Sequence, residues 1–124
     1  MGLLVFSSCE KDGGNLPTIS FKTGGSYTSS DATKAVGTSL TIGINAAKAE
    51  KKDVLKKIDI SRSINGGAST SVFNKDLSGS DGDNYSYDYT GTVDYTAGQT
   101  CKYTFTITNR DGLTNQVALT VTAQ

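Results

Sequence analysis

Two runs of alternating polar and apolar residues, joined by a turn, occupy residues 101–122, CKYTFTITNRDGLTNQVALTVT. The apolar positions of the first run are Cys101, Tyr103, Phe105 and Ile107, and those of the second are Val117, Leu119 and Val121. Successive side chains of a β-strand point to opposite faces, so each run has one apolar face. Between the runs, Asn109-Arg110-Asp111-Gly112 forms a four-residue loop that ends in glycine, which suits a type I turn with a bulge. The stretch therefore predicts a hairpin with one side turned toward a core.

Similar alternation recurs upstream, at residues 18–21, 36–46, 55–64, 70–77 and 85–95. The side chains expected to face the core there are Ile19, Phe21, Val36, Leu40, Ile42, Ile44, Ala46, Ile58, Ile60 and Ile64, and the segment at 70–77 carries Val72, Phe73 and Leu77. Turn residues separate the segments, among them Asn65-Gly66-Gly67 and the loop at residues 79–84. The chain thus has about seven strands within residues 17–124. Because each strand has one apolar face, we predict an all-β fold of two antiparallel sheets packed face to face.

Residues 46–55, AAKAEKKDVL, leave a second interpretation open. They contain good helix formers, and Asn45 stands where it could cap a helix. Glu50 could also pair with neighbouring lysines. One or two helical turns between two strands fit this segment. A long helix does not, because Ile58-Asp59-Ile60 already alternates with the period of a strand.

The composition excludes several classes of protein. The 124 residues include twelve basic and twelve acidic side chains, so no net charge attracts nucleic acid or an anionic membrane surface. No run approaches the roughly 18 apolar residues of a membrane-spanning helix. Histidine, the commonest general base and metal ligand, is absent, and no pair of carboxylates stands at a defined catalytic spacing. We therefore expect a protein that is not an enzyme and binds no nucleic acid.

The N-terminal residues indicate where in the cell the protein is located. The short apolar run Leu3-Leu4-Val5-Phe6 is followed by Ser7-Ser8-Cys9 and then by the polar stretch 10–14. A signal peptidase needs small residues just before its cut, and a cysteine at the new N-terminus can carry lipid. The stretch resembles the lipobox of bacterial lipoproteins, most closely those of the Bacteroides type. The resemblance implies that residues 1–8 are a truncated signal remnant, that Cys9 carries lipid, and that residues 9–16 are a flexible tether.

The same resemblance implies a membrane partner. The lipid would hold the protein at the outer membrane, on its periplasmic or its cell-surface face. Glu10 and Asp12 resemble the acidic export tail that sends such lipoproteins to the surface, although Lys11 interrupts it. The alternative is an N-terminus without lipid, in which Cys9 is an isolated cysteine.

A second resemblance concerns the fold. Residues 102–112, KYTFTITNRDG, and residues 117–122, VALTVT, look like the closing hairpin of bacterial immunoglobulin-like domains, and residues 55–60, LKKIDI, are similar to their central strand. The resemblance covers residues 17–124 and implies an immunoglobulin-like sandwich, with Tyr103 as its tyrosine corner. The chain lacks the paired cysteines and the core tryptophan of antibody domains.

Tyrosines are the first candidate binding residues. Tyr85, Tyr87 and Tyr89 share one face of a strand, where they could stack on sugar rings if that face is turned outward. The other interpretation turns them into the sandwich, and it is favoured because Ser86 and Asp88 make the opposite face polar. Tyr27 is a further candidate for glycan binding.

Two other groups of residues have candidate chemistry. Asp81 and Asp83 could supply oxygen ligands to Ca²⁺, although their spacing differs from that of an EF-hand loop and such loops are usually turns. We therefore expect no cofactor, with Ca²⁺ as the alternative. Cys101 invites a redox interpretation, but its parity with Tyr103 favours an inert core thiol.

These patterns lead to one hypothesis with two alternatives. The sequence favours a non-catalytic, lipid-anchored binding or spacer module of the bacterial envelope, which we expect to be a monomer. The first alternative is a glycan-binding accessory subunit of a polysaccharide-uptake system. The second is an adhesin or assembly component whose exposed edge strand pairs with an envelope protein.

Overall fold

The computed structural model describes residues 15–124, so the predictions for Cys9, the signal remnant and most of the tether lie outside the described residues. The strands are β1 (Thr18–Phe21), β2 (Ala32–Lys34), β3 (Ser39–Ala47), β4 (Leu55–Ile64), β5 (Thr70–Asp76), β6 (Asn84–Thr92), β7 (Thr100–Asn109) and β8 (Thr114–Ala123). One turn of 3-10 helix, Gly79–Gly82, lies between β5 and β6. The all-β prediction is confirmed, and β2 is a strand that the sequence pattern missed.

The strands form two sheets. One has three strands in the order β1-β3-β6, and the other has five in the order β2-β8-β7-β4-β5. Rings from the two sheets meet between them: the centroids of Phe21 and Phe105 lie 5.8 Å apart, and those of Tyr89 and Tyr103 lie 5.9 Å apart. The fold is therefore a two-layer sandwich. Its strands pair antiparallel except β2, which pairs parallel with β8, so the prediction of wholly antiparallel sheets is wrong at that edge.

The C-terminal hairpin has the predicted faces. Cys101, Tyr103, Phe105 and Ile107 are all buried. The loop is shorter than predicted, because Asn109 still belongs to β7 and its backbone N–H donates to the carbonyl of Leu113 at 2.9 Å. Gly112 closes the turn with a 3.0 Å bond to the Asn109 carbonyl and a φ of 81°, a conformation that glycine adopts without a steric cost. Three residues with a left-handed glycine at the end make a type I turn plus bulge.

The core is built mainly from β3, β4 and β7. Its fully buried aliphatic side chains include Leu40, Ile42, Ile44, Leu55, Ile58, Ile60 and Ile107. On β4 the pairing register with β7 shifts between Leu55 and Lys57. This bulge lets Leu55 and Ile58, three residues apart, face the same side although a regular strand would turn them to opposite sides.

The predicted core residue Val36 is exposed, and so is Val72 of the segment at 70–77. Val36 is 51% exposed, because β3 begins only at Ser39 and Gly37, with a φ of 93°, turns the chain between β2 and β3. Val72 is 38% exposed on β5, where the adjacent Phe73 takes the inward position. The β4–β5 register shifts here, since Phe73 pairs with Ile60 and Ser71 with Ser61, so Val72 is the extra residue of a bulge.

The helical interpretation of residues 46–55 is wrong. β3 continues to Ala47, which pairs with Asn84 of β6, and a turn at residues 49–52 follows. The backbone N–H of Asp53 closes that turn on the carbonyl of Glu50 at 2.9 Å. Sheet pairing here outweighs the local preference for helix. Among residues 15–124, no helix is long and apolar enough to cross a bilayer.

The chain enters and leaves the sandwich at opposite ends. At one end, the N-terminal end, the side chain of Asn115 donates to the carbonyl of Pro17 at 3.0 Å, beside the β7–β8 turn. At the other, the C-terminal end, the backbone N–H of Gln124 donates to the carbonyl of Lys34 at 2.9 Å. β7 runs the length of the sandwich between these ends, from Thr100 to Asn109.

Candidate functional site

Polar side chains form cross-strand rows on the outer face of the three-stranded sheet, the face turned away from the core. The register pairs Ala47 with Thr18 and Asn84, Asn45 with Ser20 and Ser86, Thr41 with Thr90, and Ser39 with Thr92. Because residues directly opposite each other on neighbouring strands lie side by side, these short polar groups form continuous rows.

The middle row is different, because glycine occupies its centre. Gly43 pairs with Asp88 of β6, and on its other side its carbonyl accepts a 2.8 Å bond from the backbone N–H of Lys22. With no side chain at Gly43, the ammonium of Lys22 reaches across the strand and lies 2.6 Å from Asp88 Oδ1. The hydroxyl of Tyr27 also donates to Asp88, at 3.1 Å from Oδ2. We call Lys22, Tyr27 and Asp88 the Lys22 cluster.

Gly43 is required here for space. A Cβ atom at this position would lie 2.7 Å from Lys22 Cδ, 2.7 Å from Tyr27 Cε1 and 2.8 Å from Asp88 Oδ1. These distances are far below van der Waals contact, so any side chain would displace the cluster. Gly43 is not among the glycines with positive φ, so its backbone conformation alone would tolerate another residue.

The Lys22 cluster keeps both of its charges. The hydrogen bond from Lys22 lowers the pKa of Asp88 below its ordinary value of 3.8, and Tyr27 adds to this effect. The same bond to Asp88 raises the pKa of Lys22 above 10.5. The ammonium also lies 5.7 Å from the centroid of the Tyr27 ring, within the range of a cation–π contact. At neutral pH the cluster is therefore a fixed, internally neutralised ion pair.

The predicted tyrosine row of β6 lies between the two sheets. Tyr87 stacks on Phe73 of β5 with ring centroids 4.4 Å apart, and Tyr85 is buried. Tyr89 packs against the aromatic rings of β7. Burial raises the pKa of Tyr85 and Tyr89 above the ordinary value. The structure thus has the inward arrangement of the row, whereas Tyr27 lies half-buried on the outer face.

The two candidate calcium ligands belong to separate ion pairs. Asp81 lies 3.9 Å from the ammonium of Lys75, and Asp83 pairs with Lys48. Lysine ammonium groups thus already neutralise both carboxylates. Within residues 15–124 no three acidic or thiol side chains gather in a way that could hold a metal ion.

Cys101 is a free thiol in the core, as its parity predicted. Burial is the main cause that raises its pKa, so the thiol stays protonated. A protonated, inaccessible thiol is a poor nucleophile and a poor metal ligand. Cys101 therefore serves the packing of the sandwich.

Sequence reasoning missed three residues that the structure singles out. Lys22 and Asp88 stand 66 positions apart, and only the sheet register brings them together. The available signal was Gly43, a glycine at an outward position within an otherwise regular strand. Asp53 is 1% exposed, and no donor among the described residues bonds either of its carboxylate oxygens. Its sequence surroundings are polar and gave no sign of this burial.

Comparison with solved structures shows a similarity at the level of the fold. The chain is similar to the crystal structure of Spo0M, a sporulation control protein from Bacillus subtilis, with a TM-score of 0.52 and 9% sequence identity. The match covers 88% of this chain and 49% of that one, so this chain spans about half the length of Spo0M. No protein-family model and no curated protein sequence matches the chain.

Proposed function

We propose that this chain is a non-catalytic binding or spacer module of a bacterial envelope, held at the outer membrane by a lipid on Cys9. The observation that carries the proposal is the position of the chain ends. Asn15 and Pro17 lie at the N-terminal end of the sandwich, where Asn109 and Asn115 donate to their carbonyls. A lipid on Cys9 would therefore turn that end toward the membrane and the C-terminal end away from it.

The length of the strands gives the reach of such a module. β7 has ten residues, which corresponds to about 33 Å at the usual rise of a strand. The turn at Asn65-Gly66 lies at the far end, where the side chain of Asn65 accepts a bond from the Thr100 N–H at 2.8 Å. A lipid-anchored sandwich would carry its distal turns and its outer faces clear of the lipid headgroups.

The finer assignment of the fold, an immunoglobulin-like sandwich, is part of this proposal. In that fold one sheet contains the first, second, fourth and fifth strands, and the other contains the third, sixth and seventh. The order β1-β3-β6 matches the first, second and fifth strands, while the fourth has no counterpart among the described residues. The order β8-β7-β4 matches the second sheet, with β5 beside β4 as in variable-type domains. Tyr103 lies early in β7, but its hydroxyl bonds the Tyr95 hydroxyl rather than the backbone oxygen of a tyrosine corner.

The non-catalytic part of the proposal rests on the chemistry of the side chains. The sequence has no histidine to act as a base near neutral pH. The pKa shifts of the Lys22 cluster favour the charged forms of an acid and a base that neutralise each other, whereas general acid–base catalysis needs a group that titrates near the working pH.

Lipid attachment can be tested on Cys9 directly. The full chain, preceded by a complete lipoprotein signal in place of residues 1–6, is expressed in a Gram-negative host and compared with its Cys9→Ala variant. We expect the parent chain in the outer-membrane fraction, with the mass of a lipid on its N-terminal peptide, and the variant in the soluble fraction. A parent chain without lipid, or a variant that still pellets with membranes, would contradict the proposal. Protease treatment of intact cells then distinguishes the periplasmic from the surface face.

One observation favours the adhesin or assembly alternative. β5 is an edge strand, and every residue in it except Phe73 is exposed. Unpaired backbone groups at such an edge can accept a strand from a partner. Sedimentation of the full, unlipidated chain over a range of concentrations tests this alternative. A concentration-dependent dimer that Val72→Pro abolishes would support it, and a monomer throughout would favour the spacer.

A further inference from the structure

Two depressions lie on the outer face of the three-stranded sheet, one on each side of the Lys22 cluster. The first, of about 270 Å³, is lined by short polar side chains: Thr18, Ser20, Asn45, Asn84 and Ser86. The second, of about 400 Å³, is lined by Ser39, Thr41, Thr90 and Thr92. They follow the same strands, since Asn45 and Thr41 are both on β3 with Gly43 between them. The Lys22 cluster lies between them, over Gly43, and we call the two depressions and the cluster together the trough.

The trough matches a neutral ligand rich in hydroxyl groups. The described residues that line the two depressions have hydroxyl or amide side chains, apart from Leu40, Ala46, Ala47 and Gly91, and none of them is charged. Between the two depressions, the charged groups described here are Lys22 and Asp88, which neutralise each other at 2.6 Å. Such a surface has no excess charge to attract an anionic polymer, and it has many donors and acceptors for hydrogen bonds.

The Lys22 cluster has binding capacity left over. The side chain of Lys22 is 20% exposed and that of Asp88 is 44% exposed. An ammonium has three donors and a carboxylate about four acceptor sites, so the contacts inside the cluster do not use them all. Tyr27 lies half-buried at the same point, and its bond to Asp88 fixes the direction of its hydroxyl. A fixed aromatic ring beside a donor and an acceptor can pack on the C–H face of a sugar while the polar groups bond its hydroxyls.

The shape of the trough favours an extended ligand. Both depressions are shallow and open, whereas sites for compact small molecules enclose most of the ligand surface. The nine residues of β3 span about 30 Å, which gives the length of the trough. The exposed large hydrophobic residues of the described chain, Leu16, Val36 and Val72, are not among the residues that line it. An apolar centre of the kind found in protein interfaces is therefore missing here.

We propose that this trough binds a neutral oligosaccharide chain, with Tyr27 packing against a sugar ring and Lys22 and Asp88 bonding its hydroxyls. The inference rests on the proposed function only in that the module binds a ligand. It assigns the binding to the outer face, through Tyr27, and not to the tyrosine row of β6.

The experiment uses the full, unlipidated chain in native gels that contain soluble polysaccharides. The neutral probes are galactomannan, xyloglucan, amylopectin and dextran, and the anionic probe is polygalacturonate. We expect at least one neutral polysaccharide to retard the chain and polygalacturonate not to. Titration calorimetry with an oligosaccharide of the retarding polymer then gives the affinity. Tyr27→Ala should lower it by about tenfold or more, the scale expected when one well-placed contact is lost.

Two further variants keep the interpretation clear. Asn45→Ala lies in the first depression outside the Lys22 cluster and should weaken binding without disturbing the ion pair. Thr106→Ala lies on the outer face of the other sheet and should leave affinity unchanged. Unfolding midpoints establish that each variant is folded. The proposal is overturned if no neutral polysaccharide retards the chain, if the anionic one alone does, or if Tyr27→Ala binds like the parent.

Failure here is distinguishable from failure of the proposed function. Lipid attachment is measured on Cys9 in membranes, and sugar binding is measured on the chain without lipid. A lipidated chain that binds no sugar would contradict sugar binding but not the spacer function. A chain that binds sugar but carries no lipid would contradict the lipid anchor but not sugar binding in the trough.

Discussion

The hydroxyl groups of Tyr95 and Tyr103 lie 3.3 Å apart in the interior of the sandwich and form a hydrogen bond with each other. Tyr95 is 6% exposed and Tyr103 is 1% exposed. Burial is the first cause that raises the pKa of both phenols above the ordinary value, so neither ionises near neutral pH. The bond ties the connection between β6 and β7 to β7 itself.

Removing one of these hydroxyls should leave the other without its partner. We expect Tyr95→Phe and Tyr103→Phe each to lower the free energy of unfolding by about 1–3 kcal/mol, the cost of an unsatisfied buried polar group. The double variant should lose less than the sum, since it leaves no orphaned hydroxyl. Urea denaturation of the four proteins measures this cycle, with Tyr87→Phe, at a half-buried position of β6, as a control. Strictly additive losses would contradict the pairing.

A methyl group at Gly43 should disrupt the Lys22 cluster. The new Cβ would lie 2.7–2.8 Å from atoms of all three cluster side chains, so they must move apart. We expect Gly43→Ala to lower the free energy of unfolding by about 1–3 kcal/mol, as overpacking usually does. Thr41→Ala, two residues along the same strand and on the same face, should change stability by less than about 0.5 kcal/mol. Thermal unfolding compares the two, and equal stabilities would contradict the requirement for glycine.

The pKa shifts of Lys22 and Asp88 predict how the stability of the fold changes at low and at high pH. Folding lowers the pKa of Asp88, so its contribution is present above the ordinary value of 3.8 and is lost as pH falls through the lower folded value. Folding raises the pKa of Lys22, so its contribution is present below 10.5 and is lost as pH rises through the higher folded value. The pair therefore stabilises the fold between these limits.

Asp88→Asn should make the stability of the protein less dependent on pH in the acid range. Denaturation midpoints measured in steps from about pH 6 to about pH 2 should fall less steeply for the variant than for the parent, because one carboxylate with a lowered pKa is gone. Asp76→Asn, a change in an exposed aspartate of β5 with no ion pair among the described residues, is the control. Parallel curves for Asp88→Asn and the parent would contradict the lowered pKa.

The thiol of Cys101 should not react with thiol reagents until the protein unfolds. It is fully buried, and burial raises its pKa, so little thiolate is present or accessible. In a Cys9→Ser variant, whose remaining cysteine is Cys101, a chromogenic disulfide reagent should react with no thiol under native conditions and with one thiol per chain in denaturant. Rapid reaction of the native protein would contradict core placement.

The strands with a strict two-residue period were the predictable part of the fold. Phe105 and Ile107 on β7, like Ile42 and Ile44 on β3, are buried as their parity predicts. Prediction failed where a backbone feature interrupts the period. The turn at Gly37 leaves Val36 in solvent, and a bulge at Val72 interrupts the regular alternation of β5.

β2 could not have been predicted from its own residues. Its three residues, Ala32–Lys34, are half-buried or exposed and show no apolar face. The strand exists because its backbone pairs in parallel with β8, and because Asp31, just before it, accepts a 2.8 Å bond from the Thr120 N–H. These partners are far away in sequence, so no local sequence pattern could predict the strand.

The candidate site, like the fold, was predictable from the sequence only in part. Tyr27 was named from the sequence as a candidate for glycan binding, but its pairing with Lys22 and Asp88 was not predicted. The tyrosines of β6 attracted a binding hypothesis because they share a face, and that face packs against Phe73 and Phe105. Whether a face is inner or outer depends on which sheet lies opposite, and that is a property of the whole sandwich.

The order of polar and apolar residues by itself determined that this protein is built of strands, where its closing hairpin turns, and that its charges balance without histidine. A strand's period and a turn's glycine act over a few residues, so sequence suffices for them. The tertiary structure alone decided that Lys22, Tyr27 and Asp88 meet over Gly43. Their meeting depends on the register of three strands, and register is fixed by burying all the apolar faces at once.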